Sequence, residues 1–345
     1  MSGLFRFSSW VLLALSTAGS AAANDVRYAA DFMDVGIGVR ELGMGSAAGG
    51  VESGVADWWN VSLMSRLRAR EIHLHHTFYA GGLANLDFAG IAWPLGRSTA
   101  VSASVLRFAV DQIPRFNDIL DPDGRSEREN NLASRPSGVP AGFFDSQDLG
   151  LRLSVARWTR RIVDFGWLYS PFPLELGSGA SVKYIRQSLD DHLAVGLGAD
   201  AGVHMTFGGA QMVGWDFLGD FTSALTLTDI AATQITWDTP SRAKASIPMR
   251  VRYDWGYVQE VGSLQSRLVL AWGRTWDLDD GGRTDRGFGA EWGVRQKLFL
   301  RLGQHRDDWS AGLGLRVWKM QLDYAFLAAE ALDSHRIDLT FMPWN

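Results

Sequence analysis

The side chains able to do chemistry in this chain are few. His73 and His75 stand two residues apart, so they share one face of an extended segment and offer half a metal site, or a base. No serine or carboxylate is connected to this pair by a recognisable motif. The chain has no cysteine, which excludes thiolate nucleophiles, disulfides and cysteine-ligated metals. The sequence therefore predicts a protein without a catalytic site, a metal site or a cofactor.

Charged residues give a stronger pattern than the histidines. The 33 basic and 38 acidic residues leave a net charge of −5, which excludes the basic surface of a nucleic-acid-binding protein. Arg far outnumbers Lys, and its planar guanidinium binds carboxylates through two parallel hydrogen bonds. A network of such Arg–carboxylate pairs could select a passing ligand or hold the structure together, and we favour the structural role. The charges expected to form it on one shared face, in a barrel lumen, are Arg250, Arg252, Glu291, Arg295, Arg316, Asp323, Arg336 and Asp338.

Period-two alternation identifies the elements that carry these charges as β-strands. In residues 309–317, for example, Trp, Ala, Leu, Leu and Val interleave with Ser, Gly, Gly and Arg. Each such segment has one apolar face and one face of Gly, Ser, Arg, Asp or Glu. About fourteen segments have this pattern: 71–79, 84–95, 98–109, 146–159, 176–189, 193–207, 217–228, 247–259, 265–276, 286–296, 298–305, 309–317, 320–327 and 334–343.

Two all-β architectures are compatible with such strands. A tilted strand needs ~9–11 residues to cross a bilayer, and single-chain bacterial barrels have an even number of strands. The alternative is one or two soluble β-sandwiches, but their strands are usually ~5–6 residues long. We therefore predict a transmembrane antiparallel β-barrel of about fourteen strands over residues 71–345. Aromatic residues expected in its interfacial girdles are Trp158, Trp255, Tyr257, Trp276, Trp309, Trp318 and Trp344.

Residues 1–23 predict a secretory signal peptide. Arg6 precedes the apolar run Trp10–Leu15, and Ala21-Ala22-Ala23 fits an A-x-A cleavage site. The alternative is an N-terminal membrane anchor, but the apolar run is shorter than the ~20 residues of a spanning helix. Export followed by β-barrel insertion predicts that the protein resides in the bacterial cell outer membrane.

The connections between strands predict an orientation. Short turns such as Gly96-Arg97 and Trp318-Lys319 alternate with long polar connections such as 110–145 and 229–246. Outer-membrane barrels place short turns in the periplasm and long loops outside. Residues 160–175 are an exception, because they form a long connection on the short-turn side; two alternatives stay open for them, a segment folded onto the barrel rim or a further strand.

Residues 24–70 differ from the rest because they lack alternation and are dense in glycine. This composition predicts compact turns and short helices lying against other backbone. Large barrels hold water or a plug, so we predict that residues 24–70 plug the lumen. The Gly-x-Gly here is no nucleotide-binding loop, because no strand precedes it.

Residues 32–45, Phe-Met-Asp-Val-Gly-Ile-Gly-Val-Arg-Glu-Leu-Gly-Met-Gly, resemble the N-terminal signature of the PorV/PorQ family of outer-membrane proteins. That family is related in architecture to the FadL long-chain fatty-acid transporters. Residues 56–60, Ala-Asp-Trp-Trp-Asn, are similar to its acidic–aromatic–Asn stretch, although Val61-Ser62-Leu63 replaces its usual Pro-Ala-Gly. Residues 182–191 and 322–337 also resemble family segments.

The resemblance implies a fourteen-stranded barrel with an N-terminal plug. For the PorV branch it also implies a role in type IX secretion, receiving the C-terminal signal domains of cargo proteins. The residues of the matching plug motif are Gly36, Gly38, Arg40, Gly43, Met44, Gly45, Asp57, Trp59 and Asn60.

Three non-enzymatic functions are compatible with these observations: a PorV/PorQ-type protein-handling component, a FadL-like channel for small hydrophobic molecules, and a structural scaffold. The longest connection, 113–142, is polar and favours protein contact. The strand faces assigned to the interior are rich in glycine and charge, which argues against an apolar pocket in the upper lumen. The expected partners are outer-membrane lipid and other envelope or secreted proteins or, for the channel, a small hydrophobic molecule.

Overall fold

The computed structural model describes residues 31–48, 51–79, 83–116, 140–164, 166, 171–278, 284–328 and 333–343. The predicted signal peptide, the middle of the longest connection and Trp344 lie outside the described residues.

Sixteen β-strands occur in the described residues, and fourteen of them close into a ring. Each pairs antiparallel with the next, β7 pairs with β10, and β1 pairs with β16 to close the barrel. The strands are β1 (Glu71–Tyr79), β2 (Ala84–Leu95), β3 (Thr99–Arg115), β4 (Gly142–Val163), β5 (Phe172–Leu189), β6 (His192–Gly208), β7 (Asp220–Thr228), β8 (Thr233–Trp237), β9 (Lys244–Ile247), β10 (Arg250–Val261), β11 (Ser266–Asp277), β12 (Thr284–Val294), β13 (Leu298–His305), β14 (Asp308–Val317), β15 (Met320–Leu327) and β16 (Ser334–Phe341).

The two faces of the barrel wall have opposite polarity. Arg301 is 2% exposed, whereas its neighbour Leu302 is 64% exposed. This arrangement repeats along the strands and is the reverse of that in a soluble sandwich, where apolar faces point inward. An outward apolar band around a polar interior is stable only in lipid. The prediction of a fourteen-stranded transmembrane barrel of the bacterial outer membrane is confirmed, and the sandwich alternative is excluded.

Two predicted connections contain strands. Residues 160–175 belong mostly to β4 and β5, whose hairpin continues past Arg157, the last β4 residue paired with β3. Residues 229–246 contain the β8–β9 hairpin, which pairs with β6 through Ala194–Gly196. Because short polar strands resemble loops in composition, alternation alone did not separate them.

The predicted aromatic girdle holds for most of its described members. Trp255 and Tyr257 alternate with the inward-facing Asp254, and Trp309 and Trp318 are exposed. Trp158 is the exception. It pairs with Gly177, whose Cβ position would lie 2.0 Å from the His204 ring, so this position faces the interior.

The barrel has two distinct ends. The turn end carries the turns 96–98, 164–171, 209–219, 262–265, 295–297 and 318–319, and the described chain leaves there at residue 343. The loop end carries the other connections and the β8–β9 hairpin. Two connections include short helices, α3 (Gly209–Val213) and a 3-10 turn (Gly262–Leu264). No helix among the described residues is long and apolar enough to cross a membrane.

Residues 31–48 and 51–67 form short helical elements inside the ring, and we call them the luminal segment. Four described positions of this segment have positive φ: Gly36 (78°), Gly38 (88°), Gly45 (66°) and Ser46 (60°). Three of the four are glycine, which adopts positive φ without steric cost. The elements are a 3-10 turn (Asp31–Val35), α1 (Val39–Gly43), α2 (Ala56–Trp59) and a 3-10 helix (Val61–Arg66).

Candidate functional site: the luminal segment and its wall

The luminal segment touches one side of the wall through backbone. A Cβ added to Gly45 would lie 2.4 Å from the backbone nitrogen and oxygen of Gln304. A Cβ added to the wall glycine Gly289 would lie 2.2 Å from the Met44 carbonyl oxygen, and one added to Gly303 would lie 2.0 Å from the Gly45 backbone nitrogen. The Gly45 amide also donates to the Ser310 hydroxyl at 3.0 Å. Glycine is required here because two backbones meet without room for side chains.

A chain of buried ion pairs fixes α1 to the same side. Arg40 binds Glu291 through two hydrogen bonds of 2.6 and 2.8 Å. Arg301 donates from Nε to Glu291 at 2.7 Å and from Nη1 to Asp323 at 2.6 Å. Arg301 therefore holds two carboxylates, one of which also binds the luminal segment. Removing one member of such a buried set typically costs about 3–5 kcal/mol.

A second cluster fixes α2 to the opposite side. Asp57 accepts from Ser102 at 2.7 Å and from Ser154 at 2.8 Å, and its carbonyl accepts from Arg152 at 2.7 Å. Arg152 also pairs with Asp200 at 3.0 Å. Lys183 pairs with the same Asp200 at 2.9 Å, so this carboxylate has two cationic partners. The cluster continues from Lys183 to Asp229, at the start of the connection that contains β8 and β9.

Further contacts join the luminal segment to the wall. Arg336 donates to the carbonyls of Val35 and Gly36 at 2.9 and 3.2 Å. Arg252 donates to the Ser46 carbonyl at 2.7 Å. Asn60 caps the following 3-10 helix by accepting from the Ser62 amide, and its side-chain nitrogen donates to the carbonyls of Val203 and Leu225 at 3.3 and 3.2 Å. Trp59 donates from its ring to the Ile37 carbonyl at 2.8 Å.

The structure places the sequence-predicted charges in three groups. Glu291 and Asp323 belong to the Arg301 ion pairs, while Arg250, Arg252 and Arg336 contact the luminal segment.

The remaining three charges are less connected to the luminal segment. Arg316 donates to Gln321 at 2.9 Å, and Asp338 lies 3.9 Å from His73. Arg295 is an exception to the expected network. It lies in the exposed turn after β12 with φ 52° and lines a cavity at the turn end of the barrel, but it makes no ion pair among the described residues.

Sequence reasoning missed four buried members of the two clusters: Arg301, Arg152, Lys183 and Asp200. All four sit at inward positions of the alternating pattern, so that pattern could have identified them as interior residues. The way the clusters join the luminal segment could not be identified from that pattern, because the joining residues, such as Arg40 and Glu291, lie up to 251 positions apart in sequence.

The histidines of β1 make hydrogen bonds within the wall. His73 bonds to Glu71 at 2.9 Å and to Thr340 at 3.1 Å, and His75 bonds to Thr77 at 2.8 Å. Among the described residues, no group of three His, Asp or Glu is arranged to hold a metal ion.

Three titratable groups of the luminal segment have shifted pKa values. Burial raises the pKa of Glu41, whose carboxylate accepts from Ser53 at 2.8 Å. Burial also acts on Glu52, but the positive charges of Arg267, Arg66 and Arg40 outweigh it and lower the pKa. For Arg40, burial opposes the charged form, but Glu291 outweighs it and raises the pKa.

The interior divides into two chemically different regions. Toward the loop end, apolar side chains of the wall, the β8–β9 hairpin and the luminal segment pack together; we call this the apolar cluster. Its buried members are Phe32, Ile37, Val55, Leu86, Phe88, Leu106, Ile185, Ala194, Ile235 and Ile247. This corrects the expectation of an upper lumen without an apolar region, which overlooked β8–β9 and the apolar side of the luminal segment.

Toward the turn end lies a cavity of about 820 Å³ with a polar lining; we call it the polar cavity. Its lining includes Arg40, Glu41, Arg66, Arg301 and Asp323. Val55 belongs to both regions, because it packs in the apolar cluster and also lines the cavity. The luminal segment therefore separates the two regions by little more than the residues around Val55.

Comparisons with known proteins give similar folds at low identity. No protein-family model and no curated protein matches the chain, so the PorV/PorQ resemblance has no support from them. Similar solved structures include the CymD monoaromatic hydrocarbon channel, with 10% identity, TM-score 0.49, and coverage of 89% of this chain and 96% of that one. A Pseudomonas aeruginosa FadL homologue is similar at 11% identity and TM-score 0.47, with 88% and 98% covered. The fold assignment rests on the strand pairing of the chain itself.

Proposed function

We propose that this protein is a gated outer-membrane channel for small apolar molecules, with the luminal segment as its gate. The observation that carries the proposal is the position of Val55, where the apolar cluster meets the polar cavity. An apolar solute entering at the loop end would meet side chains of its own polarity down to this residue. Only the luminal segment would then separate it from the cavity.

The contacts of the luminal segment suit a gate. It has little continuous core of its own, and ion pairs and hydrogen bonds to two sides of the wall hold it in place. Buried charge pairs lock one arrangement, because a member left without its partner is costly. A purely structural scaffold would need neither an apolar region nor a cavity inside the barrel.

The protein-handling role in type IX secretion stays a prediction from the resemblance. The middle of the long connection that would contact a partner lies outside the described residues. Recovery of a specific secreted protein with the solubilised barrel would test that role separately.

Solute uptake tests the channel. Cells expressing the wild-type protein should take up an apolar fluorescent dye faster than cells without it, while uptake of a charged dye of similar size stays unchanged. Deleting residues 36–63 should raise uptake of both dyes, because an open fourteen-stranded barrel encloses a water-filled lumen.

The matched control is Trp309→Phe, a conservative change on the outer face, which should leave both rates as in wild type. All variants must reach the outer membrane and migrate faster unboiled than boiled. Wild-type uptake of the apolar dye at the background rate would contradict the channel. Unchanged permeability of an inserted deletion variant would contradict the gate.

A further inference from the structure

The outer face of β1–β6 contains a hollow where a barrel surface is ordinarily convex. Outward-facing apolar side chains line this groove, whose volume is about 600 Å³. Small residues, Ala89 and Ala103, lie at its centre, while Ile91, Leu151 and Leu153 form its sides. Because this face lies in the apolar band, hydrocarbon must fill the groove.

A row of polar side chains borders the groove on the side toward the loop end. His76 pairs across the strands with Asp87, and Asp87 with Arg107. Their side chains are joined, with His76 to Asp87 at 2.7 Å and Arg107 to Asp87 at 3.3 Å. Each of these three polar residues lies two positions along its own strand from an apolar residue that faces outward. The outer face therefore changes from apolar to charged within one step along the strands.

A second arginine extends this row. Arg186 follows the groove residue Tyr184 by two positions on β5, and Leu149 stands between Arg107 and Arg186 in the strand ladders. Their Cα atoms are thus about 10 Å apart, two strand spacings. Arg186 is exposed and makes no ion pair among the described residues. Arg107 and His76 share the single carboxylate of Asp87, so the row is short of negative charge.

We propose that this groove and its polar edge form a binding site for lipid A, the phosphorylated glycolipid of the outer leaflet. Its acyl chains would fill the hollow over Ala89 and Ala103. Its phosphates would bind Arg107 and Arg186, whose guanidinium groups match phosphate with two parallel hydrogen bonds. The separation of the two arginines suits a headgroup with two phosphates better than a single phosphodiester. The position of the row on the loop-end side places it in the outer leaflet under the predicted orientation.

Native mass spectrometry of the purified full-length protein in detergent, titrated with lipid A or with phosphatidylglycerol, tests this site. Wild type should retain one lipid A and bind phosphatidylglycerol more weakly. Arg107→Gln combined with Arg186→Gln should weaken lipid A binding by roughly thirtyfold, since each basic residue at a membrane surface adds roughly fivefold in affinity. Ala103→Phe, which fills the groove, should also lower retention while leaving the charges intact.

Matched controls lie on the other side of the barrel. Arg286 is exposed on the outward face of β12, and Ala290 faces outward on the same strand; neither lines the groove. Arg286→Gln and Ala290→Phe should therefore bind lipid A as wild type does. Equal losses in these controls, unchanged binding by the double variant, or equal binding of phosphatidylglycerol would each overturn the proposal. Heat-modifiable migration on a gel verifies that every variant is folded.

Discussion

Two sides of the barrel hold the luminal segment in different ways. On the side formed by β12–β16, the short wall, strands are 8–11 residues long, and glycines bring wall and segment backbones together. On the side formed by β3–β6, the long wall, strands are 17–22 residues long, and the hydrogen bonds to the segment use side chains, although a Cβ added to Gly179 would lie 3.0 Å from the Ser62 backbone nitrogen. On the short wall Glu291 has two cationic partners, Arg40 and Arg301, but Asp323 has only Arg301 among the described residues, whereas on the long wall Asp200 has two cations. The comparison indicates that the short wall fixes the segment and that the long wall tolerates loss of a partner.

The largest expected effect follows from this difference in redundancy. Arg301→Ala should lower the free energy of unfolding by about 3–5 kcal/mol, because Asp323 loses its only cationic partner among the described residues and Glu291 keeps only Arg40. Arg152→Ala should cost less, about 1–3 kcal/mol, because Lys183 still neutralises Asp200. Urea unfolding of the detergent-solubilised proteins measures both. Equal losses would remove the distinction between the walls.

A control for that measurement is Arg306→Ala. Arg306 pairs with Asp285 at the loop end, where both side chains are substantially exposed. Solvent screens such pairs, so the loss should be at most about 1 kcal/mol.

The next effect concerns the backbone contact with the short wall. Gly45→Ala should displace α1 and raise the conductance of the protein in planar bilayers, because φ 66° and the 2.4 Å approach to Gln304 leave no space for a methyl group. Gly43→Ala should have a milder effect, because its Cβ would lie 3.3 Å from the Gly312 Cα. An alanine held at the positive φ of Gly45 would be strained by roughly 1–3 kcal/mol. A larger conductance change for Gly43→Ala would show that the segment is held elsewhere.

Opposite pH dependences are expected of two carboxylates in the luminal segment, Glu41 and Glu52. The pKa of Glu41 is raised in the folded protein, so its contribution to stability is present at low pH and is lost as pH rises from the unfolded pKa. The pKa of Glu52 is lowered, so its contribution is present above the unfolded pKa and is lost as pH falls through the folded one.

The matched variants Glu41→Gln and Glu52→Gln separate these contributions. Glu41→Gln should remove the loss of stability on the alkaline side, and Glu52→Gln should remove the loss on the acid side. Unfolding followed by tryptophan fluorescence between pH 3 and pH 8 measures both (roughly the range over which carboxylates titrate). The same profile for both variants would contradict the assigned environments.

The last prediction, which involves no change in stability, concerns the side of the membrane that each end of the barrel faces. An epitope tag between Thr239 and Arg242, in the turn of the β8–β9 hairpin, should be reached by antibody on intact cells. A tag at Gly96-Arg97 should stay hidden until the outer membrane is opened. Neither insertion should change stability, because both lie in turns. The reverse labelling would invert the orientation; the other sites suited to outside tags, Asp123 and Asp280, lie outside the described residues.

The strands were predictable because the information for them is local. Each of the fourteen predicted segments overlaps one barrel strand, since alternation with period two is enforced wherever one face meets lipid and the other the lumen. The β8–β9 hairpin was missed because neither of its short strands crosses the membrane, so that constraint does not act on them. Trp158 was assigned to the girdle on its place near a segment end, although its register turns it inward.

The sequence by itself determined that this chain is a membrane barrel, how many strands it has and which face of each strand is polar. Those properties depend on residues two positions apart and on the lengths of connections. Only the tertiary structure decided that Arg40, Glu291 and Arg301 meet, that Val55 stands between an apolar and a polar region, and that Ala89 and Ala103 lie in a hollow. These arrangements join residues up to 251 positions apart in sequence. They arise from closure of the ring around the luminal segment, which no local pattern specifies.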